Sequence, residues 1–164
     1  MLKHIVDIKV IKKLNGACAA VYLVFVPLSC LRLRIGYPKM MRFIREDPEA
    51  VKYACRVISE DQKLLVRGIL EDAGADGIFY SVQNGEIDRF TEEEYRDWVR
   101  PSDLEILDYA NTLSERNIIH FCAWEEVPRN HIAYSSRTTR YQRSRRSVWT
   151  CSVRQKTDLS SPRK

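Results

Sequence analysis

No apolar stretch of this sequence is clean enough to cross a membrane as a helix. The longest uncharged run, Leu14 to Leu31, is interrupted by Asn15, Gly16, Pro27 and Ser29. Asp7 lies upstream and no small-residue cleavage site follows, so a membrane span and a signal peptide are both disfavoured. A disulfide framework is missing too. The five cysteines (Cys18, Cys30, Cys55, Cys122, Cys151) are odd in number and scattered through apparent helices and strands, which suits a reducing cytoplasm. Internal repeats are absent, which excludes a solenoid. Acid is nearly absent from residues 127–164, where ten Arg or Lys face a single Asp158 for a local charge of +9.

That last absence divides the chain. The total of 27 bases and 22 acids leaves residues 1–126 with 17 bases and 21 acids, a charge of −4. The overall +5 is therefore an acidic body joined to a basic appendage. The body gives no reason to expect nucleic acid binding. Residues 127–164 hold eleven Ser or Thr from Arg129 onward, clustered Arg and no sustained apolar period, and read as disordered.

What is present is an alternating pattern in residues 1–126. Residues 5–14 (IVDIKVIKKL) read as an amphipathic helix with Ile5, Ile8, Ile11 and Leu14 on one face, broken by Asn15-Gly16. Residues 20–26 (AVYLVFV) are apolar without alternation and rich in β-branched and aromatic residues, the mark of a strand buried on both faces. Pro27 ends this strand and begins a loop. Asp47-Pro48-Glu49 is a helix start, with Asp at the N-cap and Pro in the first turn. Val51, Cys55, Ile58, Leu65 and Ile69 then share a face as far as Ala73. Ala75-Asp76-Gly77 turns into a second strand, Ile78–Val82. Thr91 with Glu94 forms a capping box that opens a short helix ending near Arg100. A further helix from Pro101 buries Leu104, Leu107, Ala110 and Leu113, and residues 117–122 (NIIHFC) form the third strand.

The order is β, α, β, α, β with long helical crossovers, which predicts parallel strands joined in the right-handed sense. Half a barrel and a small open sheet both satisfy that pattern. The sharpest local feature is His120-x-Cys122. Side chains two apart on a strand share a face, so imidazole and thiolate can converge on one zinc ion at about 2.0–2.3 Å. Core packing is the alternative reading of that pair.

Three stretches in this order are familiar: Phe25-Val26-Pro27-Leu28 with Asp47-Pro48-Glu49-Ala50-Val51, then residues 74–81 (GADGIFYS), then residues 117–122 (NIIHFC). Together they resemble the central part of the uroporphyrinogen decarboxylase superfamily, over about two thirds of the chain. The resemblance implies an α/β fold, a partial (β/α)8 TIM barrel of about three parallel strands over residues 1–126, with 127–164 as the disordered basic tail. It implies that Ser81 stands where the decarboxylase hydrogen-bonds a substrate carboxylate. Phe25 stands where that enzyme has its active-site tyrosine, keeping the ring and losing the hydroxyl. In the zinc-containing, cobalamin-dependent methyltransferase branch, a His-x-Cys at the position of His120 and Cys122 holds the metal with a distant third cysteine. Decarboxylation in porphyrin biosynthesis, a cytoplasmic lyase reaction, would need no cofactor. Methyl transfer would need zinc, here with an incomplete ligand set, and a methyl-corrinoid partner with a thiol acceptor.

The same resemblance implies that the family's N-terminal arginines and aspartate would lie before Met1 and its C-terminal histidine beyond Lys164. The expectation is a fragment inactive by itself, with a tail translated out of frame and open sheet edges that invite self-association. The alternative is a non-catalytic protein whose basic tail binds nucleic acid or an anionic surface, although aromatics are sparse there.

Overall fold

The computed structural model describes residues 2–15, 19–83, 85, 90–121 and 148–150. They form a mixed α/β unit: α1 (Leu2–Asn15), β1 (Val21–Phe25), α2 (Pro27–Ile35), α3 (Tyr37–Glu46), α4 (Pro48–Arg67), β2 (Gly77–Val82), α5 (Glu92–Glu94), α6 (Arg100–Leu113), β3 (Asn117–Phe121) and β4 (Val148–Thr150). All pairings are parallel, and the strands lie side by side in chain order, β1-β2-β3-β4.

The three expected strands are present, and the main helix starts as expected: the Asp47 carboxylate accepts the Ala50 N–H at 3.2 Å, with Pro48 in the first turn. The Thr91–Glu94 capping box is made in both directions, at 3.1 and 2.8 Å. Five expectations need correction. The apolar run at residues 20–26 forms its strand, but the strand is not buried on both faces, since Val21 is 39% and Leu23 48% exposed. Pro27 begins α2 rather than a loop, because a proline at the first helical position sacrifices an N–H that has no partner there anyway. Among the α1 side chains that are described, residues 7–13, the inward positions are Ile8 and Lys12, while Ile5 and Leu14 lie outside them. Ile11 is 45% exposed, since Lys12, one full turn after Ile8, reaches the Gly74 carbonyl and Asp76. The helices around Pro101 are continuous through a five-residue π turn, Tyr95–Val99, because Pro101 again falls in a first turn. Finally, Val148–Thr150, inside the stretch expected to be unstructured, adds the fourth strand. The other tail residues lie outside the described set.

Burial separates the two faces of the sheet. Val24, Ile78, Tyr80, Val82, Ile119 and Phe121 join Val66, Ile69, Leu70, Ile106, Leu107 and Ala110 in the main core. Alternation sends Val21, Leu23, Phe25, Phe79, Ser81, Ile118 and His120 to the opposite face, and none of these belongs to a described core cluster. The helices of the main core thus cover one face. A second cluster, Leu28, Met40, Val51, Cys55, Phe90, Tyr95 and Val99, contains no strand residue.

Asp76 ties together the N-terminal ends of three strands. Its carboxylate accepts the Ala20 N–H at 2.8 Å and pairs with Lys12 at 3.1 Å and Arg116 at 3.4 Å, while its carbonyl accepts from the Ser114 hydroxyl. The Ala20 N–H, then the Lys12 ammonium, hold the carboxyl below the usual carboxylate range. Asp76→Ala should cost about 2 kcal/mol in urea unfolding at pH 7, the scale of charge-assisted hydrogen bonds lost together. A lowered folded value means this stability is complete above the ordinary aspartate range and fades as pH falls through the folded value. The gap between variant and wild type should therefore close in acid; a gap independent of pH would refute the role of the charge.

Candidate functional site

Parallel register turns three separate motifs into one row. Phe25 is the partner of Ser81, and Ser81 is the partner of His120, so the three side chains leave the same face at the C-terminal ends of adjacent strands. Ser81 is buried, while Phe25 and His120 are partly exposed. The His120 ring packs beside Phe79 on that face, with centroids 5.4 Å apart and planes tilted by 33°. The row thus offers an aromatic ring, a hydroxyl and an imidazole in sequence. Cys122, one residue past β3, lies outside the described residues.

The ends of β1 and β2 are fixed from behind. The Gln62 side chain, on α4, donates to the Phe25 carbonyl at 2.6 Å and lies 3.2 Å from the Cys30 sulfur. The Val26 N–H donates to the Ser81 carbonyl at 3.3 Å, and Arg32 on α2 reaches the Gln83 amide oxygen at 2.7 Å, just beyond β2. Gln62 and Arg32 are positioning residues that sequence reasoning missed. For Gln62 the signal was available: a polar residue on the apolar stripe that runs from Val51 to Ile69.

Behind the sheet lies a group of buried polar side chains. Asp103 is wholly buried, and neither carboxylate oxygen has a hydrogen-bond partner among the described residues. Burial pushes its pKa well above the carboxylate range, favouring the protonated form. The Tyr80 hydroxyl is similarly buried without a partner, and its acidity is suppressed by burial and by the nearby Asp103 charge. Burial, with Asp103 and Cys30 adding to it, lifts the Cys55 thiol to about 12. Cys55 is thereby a neutral core thiol rather than a nucleophile.

As a metal site the described residues contribute one donor at the rim, His120. No group of three or more His, Cys, Asp or Glu able to hold a metal occurs among the described residues, which is short of the three protein ligands typical of catalytic zinc. An open apolar hollow of about 230 Å³ lies between α2, α3 and α4, against Leu31, Ile35, Phe43 and Val51. None of the row residues lines it. Among the described residues no helix is long and apolar enough to cross a membrane. Comparison of the chain with protein-family models, with curated proteins and with solved structures finds no match in any of the three.

Proposed function

We propose that this chain is an arc of a (β/α)8 barrel of the uroporphyrinogen decarboxylase superfamily, with Phe25, Ser81 and His120 on the wall of its substrate pocket. The row itself carries the reading, because barrel enzymes gather their chemistry at the C-terminal ends of the strands. Strand order adds support. Strands adjacent in chain order, all parallel, with the main-core helices on one face, are what a singly wound barrel needs. A doubly wound sheet instead reverses its order and carries helices on both faces. The opposite face, whose residues belong to no described core cluster, then corresponds to the barrel interior.

Eight strands close such a barrel, and four occur among the described residues. The pocket wall opposite the row must be supplied by other strands, so the arc alone turns over no substrate. Within the superfamily, His120 with Cys122 and the hydroxyl-free Phe25 favour thiol methyl transfer from a corrinoid over decarboxylation of a tetrapyrrole. Zinc, when bound there, would favour the thiolate form of the acceptor. Phe25 would supply an apolar surface, Ser81 a hydroxyl for orientation, and His120 with Cys122 two of the ligands.

Metal analysis of the purified chain tests the zinc branch. Zinc should co-purify with the wild type and fall about tenfold or more in both His120→Ala and Cys122→Ala, a loss at least as large as that seen when metal-orienting partners are removed. Equal zinc in all three proteins would sink the metal reading and leave the metal-free decarboxylase branch.

A further inference from the structure

We propose that two copies of this chain join, β4 of each beside β1 of the other, into a closed eight-stranded parallel cylinder with two-fold symmetry. This rests on the barrel reading and names what completes its pocket. The first observation is the edge. β1 is hydrogen-bonded on one side to β2 and borders no other strand among the described residues. Its sequence, VYLVF, has no charge, no proline and no glycine. Solitary edges are normally guarded by Lys, Pro, a bulge or a covering segment, and this one has none of the sequence devices.

The second observation is the face. Val21 is 39% and Leu23 48% exposed, and Phe25, Phe79 and Ile118 beside them are only partly buried. Parallel sheets are ordinarily covered on both sides. A helix laid across this face would leave the β1 edge open, and one added strand would satisfy the edge but leave the face bare. An occupant that meets both needs must bring parallel strands of the same polarity and an apolar inner face. A second copy brings both.

Strand number and direction agree with that choice. The four strands among the described residues, parallel and in chain order, are half of eight, so the two junctions β4-to-β1 are both parallel and become equivalent under a two-fold axis along the cylinder. No edge of the described sheet is left over. Each Phe25–Ser81–His120 row then faces the second copy's identical row across the lumen, and the pocket is incomplete without it.

Sedimentation of the full 164-residue chain, together with backbone hydrogen exchange, tests the proposal. The expected species is a dimer whose β1 amides exchange slowly. Leu23→Lys and, separately, Val21→Lys place a charge inside the cylinder and should weaken dimerisation about a hundredfold, as loss of a central interface anchor does. Val57→Lys, on the exposed side of α4 where Val57 is 44% exposed, should leave the dimer intact. Because both Lys variants alter exposed positions of the single chain, each should keep the helical far-ultraviolet signal. A monomer with rapidly exchanging β1 amides overturns the proposal, as does an open-ended ladder of larger oligomers or a dimer indifferent to both Lys variants. Loss of zinc binding with an intact dimer would sink only the site chemistry. A zinc-binding monomer would sink only the dimer.

Discussion

Gly77→Ala should unfold the chain or leave it insoluble, with a loss of about 3 kcal/mol or more if a folded fraction can be measured. Gly77 opens β2 beside the start of β3. A methyl group there would lie 2.1 Å from the Arg116 carbonyl oxygen and 2.6 Å from its carbon. Backbone cannot swing aside as a flexible side chain would. The neighbouring strand would have to move, and with it the Ile78 N–H bond to the Asn117 amide oxygen at 3.0 Å. Asn117 is fully buried and also donates to Asn111 and to the Ser114 carbonyl, so displacement unpairs several buried groups together. Overpacking of this kind ordinarily costs about 1–3 kcal/mol, and marginal stability leaves little reserve. Equilibrium denaturation and soluble yield check it. A Gly77→Ala protein with wild-type stability would show that the close approach of β2 and β3 is not as described.

The second large effect has the opposite sign. Asp103→Asn should be more stable than the wild type at neutral pH. The Asp103 carboxyl is wholly buried and has no hydrogen-bond partner among the described residues, and burial alone raises its pKa. A raised folded value means that its contribution to stability is complete below the ordinary aspartate range and is lost as pH rises through the folded value. The variant's advantage should therefore be smallest near pH 4. It should grow with pH at up to about 1.4 kcal/mol per unit, the limit for one linked proton. Urea midpoints measured from pH 4 to 8 read this directly. An advantage that is flat with pH, or that shrinks as pH rises, would mean that the carboxyl is paired or solvated.

Much of the fold was legible because its signals are local. The apolar run at residues 20–26, the Asp47-Pro48 start and the Thr91–Glu94 box each depend on neighbours a few positions away, and each appears in the structure close to where it was expected. The α2–α3 segment was not legible, since Pro27 reads as a chain break until its first-turn position is known. In α6, Leu107 and Ala110 are buried as expected. Asp103 and Ile106 occupy the rest of the inner face, however, and Leu104 and Leu113 are only partly buried. The helix is rotated to meet both the sheet and α4, a constraint that periodicity alone does not carry.

The candidate row was legible as three motifs, but its geometry was not. Phe25, Ser81 and His120 are separated by 56 and 39 positions in the chain, and only strand register puts them side by side. Gln62 and Asp103 were hidden for a different reason. Each sits on an apolar stripe whose period overwhelms one polar letter, though that letter is also the clue. β4 was missed because a three-residue strand in an Arg- and Ser-rich stretch has no period to detect.

Nuclear magnetic resonance titration of the intact chain with a porphyrin bearing carboxylate side chains, and in parallel with zinc, asks whether the row is the wall of a pocket. Signals from Phe25, Ser81 and His120 should move together, while those of Tyr53, Val57 and Leu64 on the outer side of α4 stay in place. Shifts confined to the outer helix or to the basic residues 127–164, or no shift with either probe, would contradict it.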